Sequence, residues 1–431
     1  MTKEIDLLVH SAAQLCPVPS GSGPQRGDAL GNLGLIEDGA VAIHEGKIVE
    51  TGGTATLRGK YKAAQEIDAS GCCVLPGLVD PHTHIPWHGD RASEFEQRVG
   101  GASYMEIMAA GGGIMSTVRQ TRGAKLDQLV GDNLPRLGRM LRHGTTSADA
   151  KTGYGLNVSD ELKQLAAIER LNREQPVELS LTFLPAHAIP TEFKGRTDDY
   201  VDLVVQEALP AAAEWAQARN LSLFCDVFCE AGVFDVAQTR RIFRKALDLG
   251  FRLKIHADEF EGLGGTALAV EMGAVSADHL VQTPEADIQA LGDSDTVAVG
   301  LPGTPFGLAH QEYTPARSIL AAGGALALAT DCNPGTCWCE SMQLVIALAC
   351  RYMGLTPAQA IAAATINAAC AIGRGADIGN LDPGKQADVI LLNVPDYRQL
   401  GYRFGTNLVQ TVIKQGRVVV ENEERASKAR S

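Results

Sequence analysis

The feature that most restricts this chain is a recurring rhythm between residues 73 and 330. Eight short apolar runs stand there: "CVLPGLVD", "TTSADA", "VELSLTFLPA", "LFCDVF", "FRLKIHA", "AVSADH", "TVAVGL" and "ALALAT". Longer stretches with helical spacing separate them. Short apolar runs alternating with helices read as βα units with parallel strands. Eight such units close most simply into a TIM-like (β/α)8 barrel, an architecture that takes roughly 250 residues. The spacing predicts that "DELKQLAAIERLNRE" opens on a Ser159-Asp160 cap and that "TPAQAIAAATINAACAIG" opens at Thr356-Pro357.

The 431 residues exceed what a barrel needs, and the surplus lies at the two ends. Near the start, "GAVAIHEGKIVETG" sets two β-type runs around Glu45-Gly46. Near the end, "ADVILLNVP" and "VQTVIKQGRVVVE" repeat the style, with Gln415-Gly416 as the turn. The expectation is one small β-domain from residues 1–75 and 375–431, beside a barrel over 76–374. A formal charge of -13 argues against nucleic acid or anionic membranes as partners. No apolar run approaches the roughly 18 residues of a membrane span, and the first residues lack the pattern of a secretory leader. The expected setting is therefore the cytoplasm, with most of the ten cysteines as free, buried thiols.

Chemistry-bearing residues gather where the apolar runs stop. "LPGLVDPHTH" runs into His82 and His84, whose alternation on an extended chain points both rings to one side. His256 ends "FRLKIHA", His279 ends "AVSADH", and Asp331 follows "ALALAT". Barrel enzymes draw their reactive groups from the C-terminal ends of strands. Four histidines and one aspartate at such ends therefore point to a metal site. Imidazole and carboxylate donors without thiolate suit zinc or another divalent ion such as iron. Cys332, Cys337 and Cys339 flank Asp331 but form no Cys-x-x-Cys pair, so a second, cysteine-based site is not expected. Gly111–Gly113 lies outside any strand-to-helix Gly-x-Gly-x-x-Gly pattern and reads as a loop over the barrel mouth.

The motifs "DPHTH", "GDRASEFEQRVGGASYMEIMAAGGGI", "KTGYGL", "FLPAHAIP", "DVFCEAGVF", "KIHADEF", "AVSADHL", "DCNPG" and "ATINAA" span nearly the whole chain. In them the chain resembles the amidohydrolase superfamily and, within it, the imidazolonepropionase family. The resemblance implies a metal-dependent barrel with a β-sandwich built from both termini. It implies hydrolysis of the cyclic amide of 4-imidazolone-5-propanoate to N-formimidoyl-L-glutamate in histidine degradation, and a homodimer. By the same resemblance His82, His84, His256 and Asp331 are metal ligands, and His279 is a non-ligand histidine beside the attacking water. Glu259, one helical turn past His256, is an acid on the substrate side. Arg91, Tyr154 and His187 hold the substrate with Tyr104 near them, while Asn333, Gly335 and Thr336 form a loop that contacts substrate and product.

The chemistry of those residue types fits a lactam. A divalent ion lowers the pKa of water toward ~7, and Asp331 is suited to carry its proton to the departing ring nitrogen. His279 can steady the developing oxyanion, and Arg91 offers a planar fork for a propionate carboxylate. Bridging lysines of two-metal relatives stand at the end of strand four, where this chain has "DVFCE". One metal is thus expected, with Lys151 as an interior lysine that orients nearby carboxylates or carbonyls. The alternative readings are a nucleobase-type aminohydrolase on the same ligand set, and a catalytically silent scaffold.

Overall fold

The computed structural model describes residues 2–21, 23–101 and 111–422. Tyr104 falls outside them. Two sheets organise the molecule.

One eight-stranded sheet is the barrel. Its strands are β6 (Leu78–Asp80), β7 (Thr145–Lys151), β8 (Glu178–Ala186), β9 (Leu223–Cys229), β10 (Arg252–Ala257), β11 (Ser276–His279), β12 (Val297–Gly300) and β13 (Ala325–Leu328). Each lies parallel to the next in chain order. The seam between the first and last strands is made by the residues just beyond them. Asp331 N–H donates to His82 O at 3.1 Å, His84 N–H donates to Cys332 O at 3.0 Å, and Thr83 bridges Cys332. Asp80 reinforces the seam, accepting from the backbone and hydroxyl of Thr330.

The other eight-stranded sheet is built from both ends of the chain. Its strands are β1 (Lys3–Leu15), β2 (Ile36–His44), β3 (Lys47–Gly53), β4 (Tyr61–Asp68), β5 (Cys73–Pro76), β14 (Val389–Leu392), β15 (Val409–Lys414) and β16 (Arg417–Glu421). The order is β16-β15-β14-β5-β1-β2-β3, with β4 also paired to β1. Leu7, Val9, Val41, Ile43, Val74, Leu391 and Ile413 share one core there. Both expected hairpin turns form, with left-handed Glu45-Gly46 and Gln415-Gly416 pairs. They sit back to back: a Cβ on Gly416 would lie 3.2 Å from Gly46 Cα, so backbone fills the space a side chain would need.

Three local expectations change. "CVLPGLVD" is not one strand. It breaks at Gly77, so that Cys73–Pro76 joins the sheet of the termini and Leu78–Asp80 starts the barrel. A Cβ on Gly77 would sit 2.3 Å from Thr146 Oγ1, so only glycine passes this crossing without displacement. The helix Val158–Glu174 is capped by Asn157, whose side chain accepts from Asp160 N–H, and not by Ser159-Asp160. Thr356 caps the later helix as expected. That helix stops at Ala363 and resumes at Ile366, because Thr365 has left helical geometry.

Candidate metal centre and the pocket around it

His82 and His84 follow β6, His256 lies in β10, His279 ends β11, and Asp331 follows β13, so one mouth of the barrel receives all five. All five are buried. His84 Nε2 lies 3.3 Å from His82 Nε2, from His256 Nε2 and from Asp331 Oδ1, and His82 Nε2 lies 3.5 Å from Asp331 Oδ1. Donors around a tetrahedral ion at zinc–nitrogen bond lengths stand about 3.3–3.4 Å apart. The spacing fits one ion. His279 comes within 4.8 Å of His82 and Asp331 as a further donor. The shorter separations single out the other four.

Protons cannot satisfy this cluster. His82 Nδ1 is 2.6 Å from Asp278 Oδ2, and His256 Nδ1 is 3.0 Å from Asp226 Oδ1. Each carboxylate holds its ring proton on Nδ1, leaving Nε2 as a bare lone pair aimed inward. Burial, followed by Lys151 and the neighbouring rings, holds His82 well below the ordinary histidine range. Burial and His256 do the same to His84. Asp331 Oδ1 has no hydrogen-bond donor, while Thr304 Oγ1 donates to Oδ2 at 2.5 Å. Neutral imidazoles and an orphaned carboxylate oxygen meeting in a buried space call for a cation.

Beneath the cluster the barrel interior is ionic. Lys151 Nζ lies 2.7 Å from Asp226, 3.0 Å from Asp149 and 3.7 Å from Asp278. Lys254 adds Asp149 at 3.2 Å and Pro81 O at 2.9 Å. Burial opposes the charge on Asp226, but His256 and Lys151 outweigh it and hold its carboxyl well below the usual range. Burial likewise opposes the charge on Lys151, and Asp149, Asp226 and Asp278 outweigh it. Lys151 therefore binds together the two carboxylates that orient His82 and His256, in keeping with its expected interior place.

The residues expected at the substrate surround this centre. His187 stacks on His84 at 4.7 Å, and Tyr154 lies 5.3 Å from His187. Burial pushes the Tyr154 phenol above its ordinary range, so it stays a donor. Arg91 Nε donates to Glu94 at 2.8 Å, and a Cβ on Gly335 would fall 2.2 Å from Arg91 Nη1. The guanidinium thus rests on the loop after β13. In that loop Asn333 Oδ1 accepts from the backbone of Gly335 and Thr336, both at 2.8 Å. Glu259 Oε2 is 3.6 Å from His279 Nδ1, and burial, then Asp331 and Glu230, push its carboxyl well up. The chain after β10 is not helical, contrary to expectation: a left-handed Asp258 turns it, and a bend delivers Glu259. Glu259, His279, Thr304 and Phe260 line a cavity of about 480 Å³.

His279 (φ 79°) and Asp331 (φ 54°) adopt left-handed backbone, a strain that clusters at functional sites. Asp226, Asp278, Thr304 and Glu230 escape a reading of motifs. The signal for the first two was present, since a charge inside an apolar barrel strand needs an interior partner. Cys332, Cys337 and Cys339 are free and buried, and Cys337 Sγ–H donates to Thr330 O at 3.1 Å. No thiol joins the donor sets found among the described residues. Gly113 N–H donates to Glu94 at 3.0 Å, which ties that glycine segment to Arg91.

Known proteins share this arrangement to different depths. E. coli guanine deaminase superposes with a TM-score of 0.72 at 16% identity, covering 96% of this chain and 99% of that one. A zinc-bound adenosine deaminase from Xanthomonas campestris gives 0.68 at 20% identity, over 100% and 97%. At such identities the likeness is one of fold. Sequence relatives come much nearer. Imidazolonepropionase of Herpetosiphon aurantiacus is 53% identical over 426 residues, covering 98% of this chain and 99% of the relative. That of Geobacillus kaustophilus is 46% identical over 421 residues, covering 96% and 98%. The model of the amidohydrolase family matches residues 73–419. The chain belongs to the amidohydrolase family and, within it, to the imidazolonepropionases.

Proposed function

We propose that this protein hydrolyses the cyclic amide bond of 4-imidazolone-5-propanoate, releasing N-formimidoyl-L-glutamate in histidine degradation. The observation that carries the chemistry is the convergence of His82, His84, His256 and Asp331 at 3.3–3.5 Å with their lone pairs unopposed. These four residues would hold one divalent ion, zinc or iron, and such an ion would supply the charge that activates water and polarises a lactam carbonyl.

The protein's own groups do the rest. Asp331 takes a proton from the attacking water as its oxygen bonds to the carbonyl carbon. Asp331 then returns that proton to the ring nitrogen as the carbon–nitrogen bond breaks. Thr304, donating to Asp331 Oδ2, leaves Oδ1 turned toward the ligand cluster. His279, whose Nε2 has no partner, is placed to donate to the oxygen that gains charge. Glu259 accepts a ring N–H. Arg91, steadied by Glu94, takes the propanoate carboxylate, and Tyr154 and His187 pack on the ring. Asn333, Gly335 and Thr336 shape the loop against substrate and product.

The test is to incubate zinc- or iron-loaded protein with 4-imidazolone-5-propanoate and follow imidazolone absorbance. Loss of absorbance with one formimidoylglutamate per substrate is expected. No loss, or faster turnover of purines or pyrimidines, would overturn the reading. The proposal extends to a homodimer in the cytoplasm, with light scattering expected to give twice the chain mass. No helix among the described residues is long and apolar enough to cross a membrane.

A further inference from the structure

Glu230 follows β9 and is 3% exposed, and its carboxylate is given over to backbone amides. Oε2 accepts from Glu259 N–H at 3.1 Å and Phe260 N–H at 2.9 Å. Oε1 accepts from Glu261 N–H at 3.2 Å and Ala231 N–H at 2.8 Å. Three successive amides of one segment thus converge on a single side chain. That segment lies outside helix and strand, so its N–H groups have no ladder to join. Charged acceptors bind amides more strongly than neutral ones, which makes this clamp tighter than an ordinary turn.

The clamped segment also carries side chains of the pocket. Glu259 and Phe260 line the 480 Å³ cavity with His279, and Glu259 reaches 3.6 Å from the His279 ring. Asp258 anchors the upstream end, accepting from Thr266 at 2.5 Å and Thr283 at 3.2 Å. Glu230 itself is set by a turn, its N–H donating to Phe234 O at 3.0 Å. The turn after β9 is thereby tied rigidly to the segment after β10.

We propose that Glu230 is a positioning residue for Glu259: its carboxylate fixes the 259–261 backbone so that Glu259 meets the ring N–H of the substrate. This rests on the functional reading above. Glu230→Gln keeps the size of the side chain but turns an amide NH2 toward N–H donors. Four proteins are compared: unaltered, Glu230→Gln, Glu259→Gln and the double variant. Glu230→Gln is expected to lower kcat/KM about tenfold in the unaltered background and less than about twofold beside Glu259→Gln, because both act through one contact. Metal content per subunit stays unchanged, and hydrogen exchange rises at amides 259–261. Glu230→Asp, which keeps the charge but shortens the arm, falls between.

Equal losses in both backgrounds, or unchanged exchange at 259–261, would overturn the proposal. Absence of turnover by the unaltered protein would overturn the functional reading instead. Hydrogen exchange, which needs no substrate, would still decide whether Glu230 holds the segment.

Discussion

A ligand histidine is only as good as the group behind its other nitrogen, and here those groups are Asp226 for His256 and Asp278 for His82. Replacing Asp226 by asparagine removes the charge that faces both His256 and Lys151. Metal affinity is expected to fall about 10–100-fold, the usual cost of losing such a support. Competition against a chromogenic chelator reads this directly, and an unchanged affinity would show that the Asp226 charge does not support the site. The five converging residues were legible in the sequence because each sits where an apolar run ends. Their supports Asp226 and Asp278 carried only the signal of a charge inside an apolar run, and which histidine each one meets depends on how the strands are arranged. The left-handed backbone at His279 and Asp331 was not singled out by the sequence, because histidine and aspartate are tolerant of that conformation without requiring it.

Elements were legible to the extent that their period was regular. Seven of the eight barrel strands lie along their apolar runs, and the first keeps only the last three residues of its run. What escaped were the points at which tertiary contact overrides local pattern. The apolar run at 73–80 looks continuous because both of its halves are buried, one in each sheet. The helix Val158–Glu174 begins before Ser159 because Asn157 holds an extended backbone and reaches Asp160 N–H at 2.9 Å. Asn157→Ala is therefore expected to destabilise the protein by about 1 kcal/mol, as loss of a cap does. Ser159→Ala is expected to change it by less than about 0.5 kcal/mol, the range for a surface site. Urea midpoints of the two variants check the assignment, and the reverse order would return the cap to Ser159.

At the scale of the molecule, the proposed ligands come from opposite sides of the barrel seam, His82 and His84 from one side and Asp331 from the other, with His256 across the mouth. An ion held there ties the first and last strands together, and its binding energy adds to folding. With the ion at a hundred times its dissociation constant, the gain is about 2.7 kcal/mol. Chelation is expected to lower Tm, zinc or iron to restore it, and His82→Ala to abolish the difference; a Tm indifferent to chelator would separate the seam from the metal. That both ends build one sheet was legible from their matching β character, whereas the partner of each terminal strand was not. β5 at residues 73–76 pairs with β1 on one side and with β14 at residues 389–392 on the other. On a ribosome adding about 5–20 residues per second, β5 waits roughly 15–60 s for that second neighbour to be made. For that interval the edge of β5 is an open template, closed only once β14 has been made.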